Sequence, residues 1–184
     1  QVGVASPLGT ECAVHSVRQW TERHEVEPNQ VLLKAVFENA FNQIDRGAFL
    51  EQVQEHFPEL ARWCQWCYGC HSNLRYGDKS VSSQKGVQQG DPLGPLLFAL
   101  ALQPLARKVA DEGNTARLSL ALFYLDDGML GGSAQAVAAA LQTIQGEGPA
   151  LGLHVKLSKC ELIVPSGNLS AESAALFPRA LLLN

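Results

Sequence analysis

Apolar positions along the chain switch between helical and extended spacing. Ala13, Val14, Val17 and Trp20 recur on one helical face after Thr10, which predicts an amphipathic helix over 10–24 with Thr10 as its cap. Pro28-Asn29 interrupts the pattern, and Val31–Phe37 is a short apolar run that reads as a buried strand. Asp45 is placed to cap a helix over Arg46–His56, and Pro58 to open a second one to about Cys67. Asn73–Tyr76 and Ser80–Gln84, joined by Gly77-Asp78, predict a hairpin. Gly90-Asp91-Pro92 predicts the start of a long helix to Asp111, with Asp91 as cap. Leu118–Leu125 and Met129–Gly131 read as strands on either side of Asp126-Asp127. Ala134–Gln145 is alanine-rich and helical, and Leu157–Val164 returns as a strand. Ser166–Asn184 has no assignable partner and reads as a truncated tail. Helices at 10–24, 46–67, 92–111 and 134–145, with hairpins among them, predict an α+β layered fold.

Composition narrows the class. A chain of 184 residues with 46% hydrophobic and 17% charged positions can bury one proper core and is not a disordered segment. The longest apolar stretch, Leu93–Leu105, is broken by Pro95 and Pro104, so no membrane span is expected. The chain opens at Gln1 without a signal-peptide pattern and reads as an excised or processed piece. A net charge of −4 has the wrong sign for gripping a phosphate backbone over a long face, although a local basic patch remains open. Five cysteines, an odd number, argue against a disulfide scaffold and for a reducing, intracellular compartment that the sequence does not name.

Two features carry candidate chemistry. Asp126-Asp127 sits between two apolar runs, where close like charges cost free energy unless a cation lies beside them. Oxygen-only ligands suit Mg²⁺ or Mn²⁺, while Asp-Asp-Gly is also an ordinary turn sequence. Cys64, Cys67, Cys70 and His71 have the look of haem-attachment or zinc ligands. Trp63, Trp66 and Tyr68 interleave with those cysteines, as in a packed helix end, and favour that plainer reading.

Three further segments change the weight of the Asp pair. They are Phe37-Glu38-Asn39-Ala40-Phe41-Asn42, the run Gly86-Val87-Gln88-Gln89-Gly90-Asp91-Pro92-Leu93-Gly94-Pro95-Leu96-Leu97-Phe98, and Gly152–Glu161 with Lys156 and Lys159. In this order, with Phe123-Tyr124-Leu125-Asp126-Asp127, residues 1–164 resemble the palm of a reverse transcriptase (RNA-directed DNA polymerase) of the non-LTR retrotransposon type. The resemblance implies a small antiparallel sheet that carries an Asp-Asp hairpin and is backed by helices, with fingers and thumb largely absent. It also implies Mg²⁺ or Mn²⁺ as cofactor, and a template–primer and deoxynucleoside triphosphates as partners. Asp126 and Asp127 would be metal ligands and catalytic, and Lys159 would assist the departing pyrophosphate. Phe41 would act as the sugar gate, with Gln89 and Gly90 lying along the templating pair and nucleotide.

One position departs from the family pattern. An aspartate is expected four residues before Ala40, and this chain has Val36. A valine cannot bridge two metal ions, and loss of a bridging ligand is worth several kcal/mol, at roughly tenfold in rate per 1.4 kcal/mol. Glu38 shares a strand face with Val36 but lies roughly 6–7 Å further along, which makes it a weak substitute. The sequence therefore reads as a reverse-transcriptase-derived palm that is inactive or severely impaired. The alternatives are a co-opted, non-catalytic structural subunit of a protein assembly, and an active polymerase fragment.

Overall fold

The computed structural model describes residues 7–111 and 117–182; the first six residues of the expected palm unit and the last two of the tail lie outside that set. Its centre is β1 (Gln30–Val36), which pairs antiparallel on one side with β5 (Asp127–Ser133) and on the other with β6 (Glu161–Ile163). With β4 (Leu120–Tyr124) on the far side of β5, the order is β4-β5-β1-β6. Val31, Leu32 and Leu33 are all buried because both faces of β1 are covered.

One face carries Val31, Leu33, Ala35, Phe123 and Leu130 into the main core, beneath α5 (Gly94–Asp111) and α6 (Ala134–Glu147). Alanines at 134, 136, 138 and 140 allow α6 to lie close to the strands. The opposite face is covered by α1 (Gly9–Arg23), whose Trp20 lies flat over Gly131 and donates its indole N–H to Ser119 at 2.7 Å. A Cβ at Gly131 would stand 2.8 Å from the Trp20 ring, so the indole needs a glycine beneath it.

Between β1 and α5 run α2 (Ala40–Gln43), α3 (Arg46–His56), α4 (Pro58–Tyr68) and a two-stranded ribbon, β2 (Ser72–Tyr76) with β3 (Lys79–Ser83). Asp45 caps α3 through a 3.0 Å bond from the Ala48 N–H, as its position predicted, and Pro58 opens α4. Arg46 is buried although it occupies the first turn of a helix, where a cation opposes the helix dipole. Four hydrogen bonds hold it there: to the carbonyls of Gly86, Ser83 and Lys85, and to the Ser83 hydroxyl. Its guanidinium also lies over the Tyr68 ring, 5.3 Å from the centroid.

Four expectations are corrected. The cap of α1 is Leu8, in the left-handed region at φ 55°, and Thr10 lies inside the first turn without capping it. The long helix begins at Gly94, three residues after Asp91; a tight turn comes first, in which one Asp91 oxygen accepts the Leu93 N–H at 2.8 Å. The strand expected over 157–164 is a 3₁₀ turn at Leu157–Lys159 followed by the short β6. That turn seats the buried Cys160 sulfur 3.3 Å from the Val36 N–H, so a thiol takes the hydrogen bond that a continuous strand would have supplied. Finally, the tail has a partner. Asn29 bonds to Asn168 and Ser170, and Phe177 and Leu181 are buried beside α7 (Ala171–Ala174) and α8 (Arg179–Leu182).

Replacing Arg46 by Met should lower the unfolding free energy by about 3 kcal/mol or more, because three carbonyls lose a charged donor in a part-buried setting. Urea unfolding measures it, and a loss below about 1 kcal/mol would show that water serves those carbonyls equally well.

Candidate functional site

The loops at one end of the sheet enclose a cleft of about 540 Å³. Asn39, Phe41, Gln89, Gly90, Gly94 and Asp126 are among the residues that line it. Phe41 projects from α2 and stacks on Phe98 of α5, with centroids 4.5 Å apart and planes 11° from parallel. It is both a packed aromatic and part of the cleft wall. Gly90 has φ +91°, a conformation that suits glycine, and Gly86 has φ +73° with no room for a side chain beside the Phe41 carbonyl. The glycines of this segment thus serve backbone shape and close approach together.

A second cavity of about 730 Å³ adjoins the first and shares Asn42, Gln88 and Gln89 with it. Its further walls include Gln43, Gln84 and Lys85. The paired cavities are rich in side-chain amides, which donate and accept hydrogen bonds without adding charge.

A buried network, unforeseen in the sequence, holds the wall between them. The Tyr68 hydroxyl donates to an Asp91 oxygen and accepts the Gln88 N–H at 3.2 Å. Burial and the Asp91 contact push the Tyr68 phenol up to about 12, so it stays a donor at any physiological pH. Arg46, below the same ring, ties down the preceding turn. The one available sequence signal was a cation at the wrong end of a helix.

The two aspartates part company. Asp126 lies in the two-residue connection and lines the cleft, whereas Asp127 opens β5 and lines an apolar groove of about 410 Å³ between α1 and the sheet. In that groove it stands opposite Tyr124 on one side and Val36 on the other. Burial foremost, and then the neighbouring Asp126 charge, hold the Asp127 carboxyl above the ordinary carboxylate value, while Lys34 pulls the other way. Leu125, just before the pair, sits at φ 53°, a strained conformation for a branched side chain.

The remaining predicted residues do not join this cleft. Glu38 is exposed and ion-paired with Lys156, which holds its carboxyl below the usual range. Its backbone N–H is committed to the His154 carbonyl at 2.8 Å. Lys159 lies in the 3₁₀ turn, outside the lining of the cleft.

A pair of divalent ions needs several oxygen donors converging on one point. Here Asp126 faces the cleft, Asp127 the groove, Val36 offers no donor and Glu38 is engaged by a lysine. Among the described residues no group of three or more His, Cys, Asp or Glu is arranged to hold a metal. The donor set therefore does not fit a two-metal centre. Nor do the cysteines form a site: Cys64 is buried in the core, Cys67 is half-buried, Cys70 is exposed, and all are free thiols. No described helix is long and apolar enough to cross a membrane.

The raised Asp127 carboxyl sets a pH dependence. The folded chain binds this proton more tightly than the unfolded chain does, so stability falls as pH rises above 3.8 and through the raised value. Asp127→Asn should raise Tm at neutral pH and flatten that fall; equal slopes for the two proteins in a Tm series from about pH 3 to about 7 would contradict it. Leu125→Asn should add about 1 kcal/mol by relieving the left-handed strain.

Comparison with known proteins accords with the fold. A model of the family described as "Reverse transcriptase (RNA-dependent DNA polymerase)" matches residues 8–173. No curated protein matches the chain in sequence. A telomerase of Candida albicans, solved with the TWJ fragment of telomeric RNA, is similar over 83% of this chain, with TM-score 0.64 and 10% identity, and 31% of that structure is covered. The apo telomerase of Candida tropicalis is similar over 88% of the chain, with TM-score 0.61 and 12% identity, and 33% of it is covered. At these identities the likeness shows the fold alone, and the chain spans about a third of those telomerases. The family model covers most of the chain, from α1 to α7, and by that match the chain belongs to the reverse transcriptase family.

Proposed function

We propose that this chain is a palm of the non-LTR retrotransposon type whose RNA-directed DNA polymerase activity has been lost or severely impaired. The observation that carries the reading is Val36 at the end of the central strand, in register with Asp127, where the family pattern expects a carboxylate. The family generally uses divalent metal ions, and the scattered donors described above would hold them poorly. Phe41, Gln89, Gly90 and Asp126 line one cavity, which supports reading it as the template–primer and nucleotide site. Asp126, with Asp127 beside it in sequence, would be the residue of metal binding, and Lys159 would need a movement of its turn to assist catalysis.

A second reading makes the palm a co-opted structural subunit. It draws on Trp63 and Trp66 of α4, which are 56% and 76% exposed and lie against each other with centroids 5.2 Å apart. Bare tryptophans are unusual on a free surface and favour a protein partner. The third reading, an active fragment in which Glu38 replaces the missing ligand, is disfavoured by the Glu38–Lys156 ion pair.

Primer extension with Mg²⁺ or Mn²⁺ tests the main reading. The unaltered chain should extend no more than a trace of primer, and sustained extension would overturn the proposal. Calorimetric titration with Mn²⁺ gives a readout that does not depend on fingers or thumb. Val36→Asp should tighten Mn²⁺ binding by at least about tenfold, or roughly 1.4 kcal/mol. Tight binding by the unaltered chain would instead support Glu38 as a working ligand.

A further inference from the structure

The β2–β3 ribbon stands out from the domain with one face unpartnered. Its register sets Leu74 opposite Val81 and Tyr76 opposite Lys79. Directly opposed residues share a face, as do residues two apart, so all four side chains lie on one side of the ribbon. Leu74, Val81 and Tyr76 are 54%, 59% and 84% exposed. Leu74 is also a wall of the amide-lined cavity. That face therefore continues the cleft outwards, from Ser83 past Leu74 and Val81 to the Tyr76–Lys79 pair at the tip.

Charge is distributed in the same direction. Residues 72–85 hold three cations, Arg75, Lys79 and Lys85, against a single acid, Asp78, in a chain whose net charge is −4. The ion pairs found among the described residues occupy His24, Lys34, Lys108 and Lys156, not these three. Lys85 lines the cavity, Lys79 lies on the aromatic face and Arg75 on the reverse. These cations are close in sequence, and the ribbon sets them along one short arm. The base of the ribbon is also fixed, because buried Arg46 grips the Ser83 and Lys85 carbonyls. The arm is held before any ligand arrives.

We propose that this ribbon is a binding arm for single-stranded nucleic acid leaving the cleft, with a base stacked on Tyr76 and phosphates beside Lys79 and Lys85. An exposed aromatic ring flanked by cations suits an unpaired base, whose faces are free; a duplex offers no such faces along its length. The ribbon's five paired positions span about 17 Å, room for a few nucleotides beyond those in the cleft. This inference rests on reading the cleft as a nucleic-acid site, but it needs neither metal nor polymerase chemistry. The arm would keep its ligand in a chain that no longer extends a primer.

The test is fluorescence anisotropy of a labelled 20-nucleotide oligo-U strand with the whole chain in EDTA, at several salt concentrations. Saturable binding should appear, and an unlabelled duplex of equal length should compete poorly. Tyr76→Ala should weaken binding about 5- to 100-fold, with Tyr76→Trp restoring it. Lys79→Ala should reduce the salt slope by about 0.7. Tyr76 is too exposed for these changes to unfold the domain, and an unchanged Tm verifies it. Binding unaffected by Tyr76→Ala but lost in Gln89→Ala would overturn the arm and leave the reading of the cleft standing. Absence of binding, with the chain sedimenting as a dimer that Tyr76→Ala dissociates, would make the ribbon a protein contact and overturn the proposal as well. Neither result bears on Val36, which primer extension and Mn²⁺ titration test separately.

Discussion

The central strand β1 has neighbours on both edges and cover on both faces, so every backbone group along it must find a partner inside the protein. That requirement organises the sheet. It draws β5 and β6 alongside and stretches the apolar run Val31–Leu33 to its full length. It also explains the break in the last strand. The Lys156 N–H bonds to the Val36 carbonyl at 2.8 Å, the chain turns, and the Cys160 sulfur accepts the Val36 N–H before β6 begins. Val36 thus sits at the junction of three segments, with its backbone engaged and its side chain half-buried against the core. Aspartate at this position would keep those backbone bonds, and would set a second carboxylate beside Asp127.

A second constraint shapes the cleft. Its walls are loops, and loops need internal anchors to keep a shape. Arg46, Tyr68 and Asp91 provide them: the arginine grips the turn after the ribbon, and the phenol bridges Asp91 and the Gln88 N–H. Together these three position Gln88, Gln89 and Gly90, and Asp91 itself reaches the cleft wall. The shape of the cleft is consequently maintained by ordinary folding stability. The anchors that hold it are different residues from Val36, Asp126 and Asp127, and have different structural duties.

Local elements were legible wherever a short-range physical rule operated. The Asp45 cap, the Pro58 start, the Gly77-Asp78 hairpin and the alanine-rich α6 all depend on residues within a few positions of one another. The misreadings share a different cause. Thr10 offered a good cap and was not used, because the chain enters α1 through a left-handed Leu8. Leu157–Val164 had strand composition, but Cys160 had to reach Val36, 124 residues earlier, and the strand gave way to a turn. Phe177 and Leu181 looked like a loose tail because the surface that buries them is assembled from distant elements.

By itself the sequence determined the α+β class, most of the elements in the main domain and the family, since each is written in residue identities at fixed spacing. Only the tertiary structure decided that Asp126 and Asp127 face different cavities, because alternation about a tight turn sends neighbouring side chains to opposite sides of a sheet. It also decided that Glu38 is taken by Lys156, which lies 118 positions away in sequence. Arg75, Tyr76, Lys79 and Lys85 are already neighbours in sequence, and the hairpin that carries them is local. What tertiary structure adds is its place beside the cleft, where Leu74 and Lys85 join the cavity wall.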